Sequence, residues 1–565
     1  MINRRLLLLA VACASACSSA PPKPLTLAQM PEISTAMALA DITKLSSDEF
    51  EGRLPGSKGE QLAVEYITKQ FVASGLVPGN PDGTWIQKVP LVGLTPEAEG
   101  PLTVKKDGRT LTFKVEDEFV PFSKQVTDEV KLENSELVFA GYGVQAPEFQ
   151  WDDFKGVDLK GKTIVVLVND PQVLTAGSTD PKDLDSSVFG GKRMTYYGRW
   201  TYKYEKAAEL GAAGCIIVHE TEYAGYGFNV VQGFGGERFD LVTPNKNMNR
   251  AKIESWMSLE AATRMFKAAG LDYQALKAQA ATRAFKPVPL GMTASFALKQ
   301  KMRTIDSQNV IGKITGSDPA LRNEYVVFSA HWDHLGVGPA KKGDAKKDMI
   351  YNGASDNASG TAAMLEIARQ LKHISPAPKR TLLFIAVTAE EQGLLGSQYY
   401  AQNPLYPLDK TLADINVDDN LPMWGRTKDV IVIGLGASDL DDYLRDAAAE
   451  QGRTLTPDAE PEKGLYYRSD HFNFAKVGVP ALDTDDGVDY IGKPAGFGKA
   501  KKDEYTQNDY HSPSDEVKPD WDMTGYAEEA KLLMAVGYRI AQAEKFPEWK
   551  PGNEFKAIRD RAIKK

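Results

Sequence analysis

The sequence has little cysteine. Three cysteines occur among 565 residues, and only Cys215 lies beyond residue 20. With one remaining thiol, an exported form of this chain has no internal disulfide, so its stability must come from core burial, which a chain of this length can supply. Cys215 lies in the run GAAGCIIV, and we interpret it as a small buried hydrophobic residue.

Excess positive charge and long apolar runs are also lacking. The net charge is −9 and the isoelectric point is about 5.5, which excludes nucleic acid as a partner because such binding needs a basic face. After residue 20 no stretch approaches about 18 uninterrupted apolar residues, so no transmembrane helix is predicted there. A hydrophobic content of 42% and a charged content of 25% are typical of a soluble globular protein. The length predicts two or three domains.

The first 20 residues are predicted to be an export signal. Arg4 and Arg5 precede the apolar run Leu6–Ala12, and small residues follow, as in a secretory signal peptide. The small residues before Cys17 also fit a bacterial lipoprotein cleavage box, with Cys13 as a second candidate for lipidation. The alternative is cleavage without lipidation and simple secretion. We therefore expect an exported protein, either periplasmic or anchored to the outer membrane, whose only membrane contact is this N-terminal lipid.

The body of the chain is predicted to have three parts. Residues 21–100 carry two helical patterns, at 33–46 and 59–74, separated by the Gly/Pro-punctuated loop EGRLPGSKG, and a strand at 85–92. Residues 101–293 change to short strands with few helices. Residues 294–565 then alternate strand and helix, as in the near-continuous apolar run TLLFIAV at 381–387. This alternation predicts an α/β fold with a mixed, mostly parallel sheet flanked by helices.

The segment 101–293 contains two motifs of interest, FAGYGVQAPEFQWDDFKGVDLKGKTIVVLV and KAAELGAAGCIIVHE. In this order they resemble the protease-associated domain. The resemblance implies a β-rich α/β insert that has no chemistry of its own and shapes access to a neighbouring site. The alternative is an α/β insert of another kind.

Histidine and carboxylate residues follow several strands of the last segment. In an open α/β sheet, functional groups gather beyond the carboxyl ends of the strands. The candidates at this edge are His331, Asp356, Glu390, Glu391, Asp418 and, in a later loop, His511. Zinc prefers imidazole and carboxylate ligands where thiolate is absent. Two metals about 3.5–4 Å apart need a bridging carboxylate, and one further acid must stay off the metals to act as general base.

The motifs AHWDHLG, GASDNASG, AEEQGLLGS, NVDD and YHSPSDE, in this order, resemble the M28 family of zinc metallopeptidases. The resemblance implies a zinc exopeptidase fold with two zinc ions. His331 and Asp418 would bind the first ion, Glu391 and His511 the second, and Asp356 would bridge them. Glu390 would be the general base, and Asp333 would hold the imidazole of His331 in the correct tautomer.

Some positions depart from the family pattern or match it less closely. Asp419 stands where the family commonly has Met, so either Asp418 or Asp419 could be the ligand, and the motif register favours Asp418. Tyr466 falls where related aminopeptidases place a tyrosine that stabilises the oxyanion, although Tyr467 lies alongside. We interpret His334 as structural. His471 contacts substrate or packs within a short helix, and Ser355 replaces a frequent Asp that is not a ligand.

We predict an aminopeptidase, because a site rich in carboxylates favours a free α-ammonium group of a peptide substrate. Glu390 would take a proton from the attacking water and return it to the leaving amine. A carboxypeptidase or dipeptidase is the alternative within the family, with Arg468 as the candidate partner of a substrate carboxylate. A glutaminyl cyclase-like enzyme with one zinc ion, or a binding protein without metal, are alternatives from other classes. The oligomeric state is left open.

Overall fold

The computed structural model describes residues 24–232, 236–338, 349–419 and 421–563. The predicted export signal and the lysine-rich loop at 344–348 lie outside these residues. None of the helices within the described ranges has the length and apolar character that crossing a bilayer requires.

The N-terminal part begins with two helices that pack on the main body. Ser34 caps the first helix by accepting a hydrogen bond from the amide of Met37 at 3.3 Å, and Ser57 caps the second in the same way. Ile42 of the first helix and Phe71 of the second are fully buried. The apolar residues at three-to-four spacing therefore face the core, as predicted. The elements are α1 Thr35–Leu45, α2 Lys58–Ala73, β1 Val77–Pro78 and β2 Ile86–Ala98.

The inserted part has two apolar clusters of its own, and most of its strands belong to the same continuous sheet as those of the main body. Its strands are β3 Leu102–Lys106, β4 Arg109–Phe113, β5 Phe119–Phe122, β6 Glu129–Phe139, β7 Gln145–Ala146, β8 Trp151–Asp152, β9 Thr163–Leu167, β10 Gly214–His219, β11 Arg238–Leu241 and β12 Ile253–Ser258. Its helices are α3 Trp200–Glu209, α4 Thr221–Ala224, α5 Phe228–Gln232, α6 Leu259–Ala269 and α7 Tyr273–Ala280. Strands β6, β9, β10 and β12 pair in parallel. Cys215 on β10 is fully buried, as predicted.

The main body continues with strands β13 Val288–Ile314, β14 Tyr325–His331, β15 Gly336–Val337, β16 Ile350–Tyr351, β17 Thr381–Val387, β18 Thr411–Asn416, β19 Asp429–Ile433, β20 Thr454–Pro457 and β21 Ala481–Asp485. Its helices are α8 Gly360–His373, α9 Leu395–Gln402, α10 Leu440–Glu450, α11 His471–Lys476, α12 Phe497–Asn508, α13 Thr524–Gln542 and α14 Lys556–Ile563.

The centre of the main body is a run of parallel strands in the order β17, β14, β18, β21. Strand β13 is antiparallel to β17, and β19 is antiparallel to β21. Phe328 of β14 faces the larger apolar cluster with α8 and α13, and Val327 faces the cluster on the opposite side. Both faces are therefore covered, and the predicted mixed, mostly parallel sheet between helices is confirmed.

The 27-residue strand β13 belongs to both parts of the molecule. Its N-terminal half pairs with β6 of the insert, its middle pairs with β2 over Ile86–Ala98, and its last residues pair with β17. The predicted boundary at residues 293 and 294 falls inside this strand. One continuous backbone thus joins the insert to the sheet that carries the site.

Candidate metal centre

The candidate residues come together at the carboxyl edge of the parallel strands. His331 is the last residue of β14, Glu390 and Glu391 follow β17, and Asp418 follows β18. Asp356 lies in the turn before α8. His511 reaches the same place from the loop after α12. The strand order therefore produces the convergence that the sequence pattern predicted.

One half of the centre is formed by His331, Asp418 and Asp356. The Nε2 atom of His331 lies 3.0 Å from Oδ1 of Asp418 and 3.2 Å from Oδ1 of Asp356. The Nδ1 atom of His331 donates a hydrogen bond to the backbone carbonyl of Asp333 at 3.1 Å. A carbonyl oxygen can only accept, so Nδ1 carries a proton, and Nε2, which faces the carboxylates, is the nitrogen available to a metal.

The other half uses the second oxygen of Asp356. The Nε2 atom of His511 lies 3.2 Å from Oδ2 of Asp356 and 3.0 Å from Oε2 of Glu391. A second imidazole is present, because Nδ1 of His334 lies 2.5 Å from Oε1 of Glu391. Asp356 thus has one carboxylate oxygen toward each half, as a bridging ligand requires.

The side chain of Glu390 stands beside the first half and makes no hydrogen bond among the described residues. Its Oε2 atom is 4.0 Å from Nε2 of His331, and its side chain is 12% exposed. Burial and the nearby charges of Asp418 and Glu391 raise the pKa of Glu390 well above its ordinary value, against the opposing effect of His331. A carboxyl group with a raised pKa is suited to taking up and returning a proton.

The carboxylate of Asp333 is not the nearest acceptor for His331. Its Oδ1 atom is 3.8 Å from Nδ1 of His331, whereas its own backbone carbonyl is at 3.1 Å. The carboxylate instead accepts a hydrogen bond from the amide of Glu390 at 3.1 Å. Asp333 therefore orients the imidazole through its backbone and the turn of Glu390 through its side chain.

The electrostatics of the centre favour a cation. Burial opposes charge on His331, but Asp418, Glu390 and Asp356 outweigh it and raise the pKa of His331 well above its usual value. The pKa of His511 is raised in the same way by Glu391 and Asp356.

Two groups present ligand atoms within 4.8 Å of one another: His331, Asp356 and Asp418, and His334, Asp356 and Glu391. Nε2 of His334 is buried without a hydrogen-bond partner among the described residues, while its Nδ1 atom pairs with Oε1 of Glu391. Imidazole and carboxylate donors with unused lone pairs suit zinc.

The structure separates the two adjacent aspartates after β18. Asp418 contacts His331, and its second oxygen accepts a hydrogen bond from the hydroxyl of Ser469. The carboxylate of Asp419 turns away and accepts a hydrogen bond from the hydroxyl of Ser355. Asp419 has a positive φ of 47°, which directs its side chain to the opposite side of the turn. The geometry thus agrees with the preference for Asp418.

Tyr466, the candidate for stabilising the oxyanion, and Tyr510 occupy different surroundings. Tyr466 packs at 4.7 Å on the ring of His471, and its hydroxyl has no hydrogen-bond partner in the described part of the chain. It lines a cavity of about 60 Å³ together with Met194 of the insert. Tyr510, which the sequence analysis did not select, stacks on His511 with ring centroids 3.9 Å apart and is 42% exposed. Tyr510 is therefore the tyrosine that the structure brings to the centre.

Arg468 and His471 lie away from the ligands. Arg468 is exposed, and its guanidinium donates to the carbonyl of Lys463 at 2.9 Å. His471 is fully buried, which lowers its pKa to about 3. The structure therefore places His471 in packing within α11.

Sequence reasoning missed Asp515. Its carboxylate accepts hydrogen bonds from the amides of Ser355 and Asp356 at 3.0 and 3.1 Å, so it holds the turn that carries the bridging residue. Asp515 lies within the motif YHSPSDE, which could have drawn attention to it. Nothing in the sequence indicates that its acceptors are backbone amides 160 residues away.

An open α/β sheet carries two histidine–carboxylate groups on one shared aspartate, and both groups could hold a metal ion. Residues 309–535 match the model of Peptidase family M28. This segment of the chain is therefore similar to the M28 peptidases, in agreement with the resemblance seen in the motifs.

Relatives of known name are similar over part of the chain. Aminopeptidase YwaD of Bacillus subtilis (strain 168) is 30% identical over 247 residues, which are 43% of this chain and 46% of that protein. Aminopeptidase Y of Saccharomyces cerevisiae (strain ATCC 204508 / S288c) is 34% identical over 108 residues, 19% of this chain and 17% of that protein. The chain thus spans less than half the length of these curated relatives.

Solved structures are similar over most of the chain at low identity. The aminopeptidase from Aneurinibacillus sp. strain AM-1 gives a TM-score of 0.46 with 19% identity, covering 90% of this chain and 94% of that one. BSAP, a zinc aminopeptidase from Bacillus subtilis, gives a TM-score of 0.41 with 19% identity, covering 90% and 95%.

Proposed function

We propose that this protein is a dizinc aminopeptidase that removes N-terminal residues from peptides. The observation that supports the proposal most is the position of Asp356, whose two oxygens face His331 with Asp418 on one side and His511 with Glu391 on the other. The first zinc ion would be held by His331 and Asp418, and the second by His511 and Glu391. The relatives named above are aminopeptidases, which agrees with this reading.

Zinc bound there would supply a Lewis acid that polarises the scissile carbonyl and lowers the pKa of the attacking water. Glu390 would take the proton of that water, and this is supported by its carboxyl group lying beside the first half of the centre and by its raised pKa. The same carboxyl group then gives the proton to the leaving amine as the C–N bond breaks. Water thus divides between the new carboxylic acid and the new amine.

Tyr510 would be a second candidate, beside Tyr466, for stabilising the developing oxyanion. Desolvation, followed by the charges of Asp356 and Glu391, raises the pKa of Tyr510 well above its usual value. Its hydroxyl therefore keeps its proton at neutral pH and would donate a hydrogen bond to the carbonyl oxygen of the substrate.

The charge around the centre favours an aminopeptidase over a carboxypeptidase. Glu390 and Asp418 both stand beside His331 at this edge of the sheet, so a free α-ammonium group would meet carboxylates there. Arg468, the candidate partner for a substrate carboxylate, donates to the carbonyl of Lys463 instead.

The insert is proposed to be a protease-associated domain that shapes access to the centre. Its segment 192–205 contacts the main body at residues 461–476, through pairs such as Lys192 with Glu462 at 2.9 Å. Export by the signal at residues 1–20, with Cys17 or Cys13 lipidated, is proposed from the sequence pattern.

The proposed activity is tested with one short peptide in three forms: free at both ends, N-acetylated, and C-amidated. Purified protein is incubated with each form, with and without a zinc chelator, and the products are identified by mass spectrometry. An aminopeptidase shortens the free and amidated peptides from the N-terminus, and acetylation or the chelator stops it. Cleavage that only amidation blocks would instead establish a carboxypeptidase.

The zinc content of the same preparation separates the remaining classes. Two ions per chain agree with the proposal. One ion with no cleavage of any form would favour a cyclase-like enzyme, and no bound zinc would favour a binding protein.

A further inference from the structure

The loop EGRLPGSKG, which no step of the proposed reaction uses, sends one side chain into the interior beneath the centre. Arg53 is 1% exposed although it carries a charged group. Glu51, Gly52 and Arg53 all have positive φ values, of 47°, 64° and 52°. Left-handed conformations are uncommon for residues other than glycine and persist only where the surrounding structure imposes them. The loop thus holds an unfavourable backbone shape that turns Arg53 inward.

The backbone of this loop is also packed tightly against the site. A Cβ atom added at Gly52 would lie 2.5 Å from the carbonyl oxygens of Gly336 and Tyr351, so only glycine allows this approach. The amide of His334 donates to the carbonyl of Arg53 at 3.4 Å. The position of Arg53 is therefore fixed relative to the segment that follows His331.

The guanidinium group of Arg53 binds four backbone carbonyls. Its Nε atom donates to Trp332 at 2.8 Å, and Nη2 donates to Gly353 at 2.9 Å. Its Nη1 atom donates to Asn352 at 2.6 Å and to Leu45 at 2.7 Å. Trp332 is adjacent to His331, and the Asn352–Gly353 pair begins the turn that carries Asp356. One side chain therefore spans the two segments that present a histidine and the bridging carboxylate.

The turn around Asp356 is held from its other end by Asp515, whose carboxylate accepts the amides of Ser355 and Asp356. Arg53 binds the carbonyls of Asn352 and Gly353, which begin this turn. Asp515 binds the amides of the residues that follow in it. Burial lowers the pKa of Arg53 to about 10, while Asp333 and Asp515 oppose the change, so the group stays charged at neutral pH. Hydrogen bonds from a charged donor are stronger than those from a neutral one.

We infer that Arg53 is a positioning residue that sets the separation of His331 and Asp356, and through it the zinc affinity and the turnover of the centre. The inference rests on the proposed metal centre. A lysine keeps the charge but carries its donors on one nitrogen and cannot reach four carbonyls in the directions of a guanidinium fork. Charge alone is therefore not expected to replace Arg53.

The test compares Arg53→Lys with Arg380→Lys in the full chain. Arg380 is a matched control because it is 2% exposed, contacts Glu324 at 2.7 Å and donates to backbone carbonyls of Ala541 and Ala543, away from the ligands. Zinc affinity is measured by competition with a chelator, together with thermal unfolding, kcat and KM. We expect Arg53→Lys to lower zinc affinity and kcat by about 10- to 100-fold, as for groups that orient metal ligands.

KM should change little, because Arg53 is buried and does not touch substrate. Arg380→Lys should lower the unfolding temperature but leave zinc affinity and kcat as in the unmodified protein. The inference is overturned if Arg53→Lys keeps its zinc affinity, or if both variants lose it equally. If zinc affinity falls as expected but no peptide is ever cleaved, the inference stands and the proposed function fails.

A measurement on the unmodified protein covers the case in which Arg53→Lys does not fold. Hydrogen exchange is followed by mass spectrometry with and without zinc. Because Arg53 is bonded to both ligand segments, zinc should slow exchange in a peptide covering residues 48–56 together with peptides covering 331–338 and 352–357. Protection of the latter two without any change at 48–56 would contradict the inference.

Discussion

Glu390 and Glu391 are chemically identical neighbours that the turn after β17 places in different environments. Glu391 lies between two histidines, and His511 and His334 lower its pKa to about 2 against the effects of burial and of Asp356. Glu390 has no such partner, and its pKa is raised. Carboxyl groups whose pKa values are pushed apart in this way divide into a permanent anion and an acid or base.

Replacing Glu390 with Gln should therefore remove the proton carrier and leave the ligands intact. We expect kcat to fall by about 10²–10⁴-fold, the usual contribution of general acid–base catalysis, with zinc content unchanged by elemental analysis. Retained turnover would refute the assignment of Glu390 as base. Loss of zinc would instead identify Glu390 as a ligand.

Two imidazoles compete for the second metal position. His511 contacts both Asp356 and Glu391, whereas His334 contacts Oε1 of Glu391 through Nδ1, and its Nε2 atom has no hydrogen-bond partner among the described residues. We expect His511→Ala to lose one of two zinc ions. His334→Ala should retain both ions with about 10- to 100-fold weaker binding, since it removes a group that supports Glu391. The opposite result, one ion in His334→Ala and two in His511→Ala, would make His334 the ligand.

The pKa shifts of the centre predict how zinc binding depends on pH. The pKa values of His331 and His511 are raised well above 6.5 in the metal-free protein. Both rings are therefore in the imidazolium form at pH 7, with a proton on each nitrogen. A ligand imidazole must be neutral, and zinc binding at pH 7 should release about two protons from these rings. Calorimetry in two buffers of different ionisation enthalpy measures this number, and release of no proton would contradict the prediction.

In the metal-free protein, the raised histidine pKa values favour folding at low pH, whereas zinc binding is favoured at high pH. The raised histidine pKa values contribute stability that is present below 6.5 and is lost as pH rises through them. The lowered pKa of Glu391 contributes stability that is present above 4.5 and is lost as pH falls toward 2. These three groups alone thus stabilise the metal-free fold most between pH 4.5 and 6.5, while zinc affinity keeps rising with pH.

At the scale of helices and strands, much of the fold could be predicted from sequence. The run TLLFIAV is β17 at the predicted bounds, and the helical pattern at 59–74 is α2, with each end one residue earlier. Apolar periodicity is a local property, so elements with two covered faces or one apolar stripe leave a clear pattern. Strand β13 extends through the predicted boundary because its pairing partners lie in three different places, which no local pattern reports.

The candidate metal ligands could be predicted from the sequence, but the residues that support them could not. Histidine and carboxylate types at strand ends indicate the ligands, and His331 and Asp356 do lie together. Arg53 and Asp515 bind backbone groups, which every residue has, so their partners leave no signal in side-chain identity. Tyr466 and Tyr510 differ only in which one the chain folds against His511.

Helix α13 packs closely against β14, the strand that ends at the candidate ligand His331. A Cβ atom added at Gly537 would lie 2.2 Å from Cζ of Phe328, which stacks at 5.2 Å on Phe384. Gly537→Ala should cost about 1–3 kcal/mol from overpacking, offset by roughly 1 kcal/mol of helix propensity. We expect a net lower unfolding temperature with zinc content retained. An unchanged or higher unfolding temperature would show that Phe328 moves aside freely.

At the scale of the whole molecule, the insert and the metal centre both contact the segment 469–476 of the main body. Lys476 of α11 contacts both carboxylate oxygens of Glu205 of the insert, at 2.7 and 2.9 Å, and the hydroxyl of Tyr196 at 2.7 Å. The same segment contains Ser469, which donates to Asp418. The insert therefore packs on the residues that support a ligand, which gives it a physical means of affecting the centre.

Lys476→Met should loosen this contact without unfolding the protein. The side chains of Lys476 and Glu205 are about one-third exposed, so this ion pair contributes about 0.2–1 kcal/mol to the free energy of unfolding. We expect faster hydrogen exchange at residues 192–205 and 465–477 with little change in unfolding temperature. Lys550→Met is the matched control, because Lys550 pairs with Asp439 and Asp442 at 39% exposure within the main body. If the control accelerates exchange in the insert equally, or if Lys476→Met changes nothing there, the insert is held by its apolar contacts and by the shared strand β13, and its influence on the centre must run through the backbone instead.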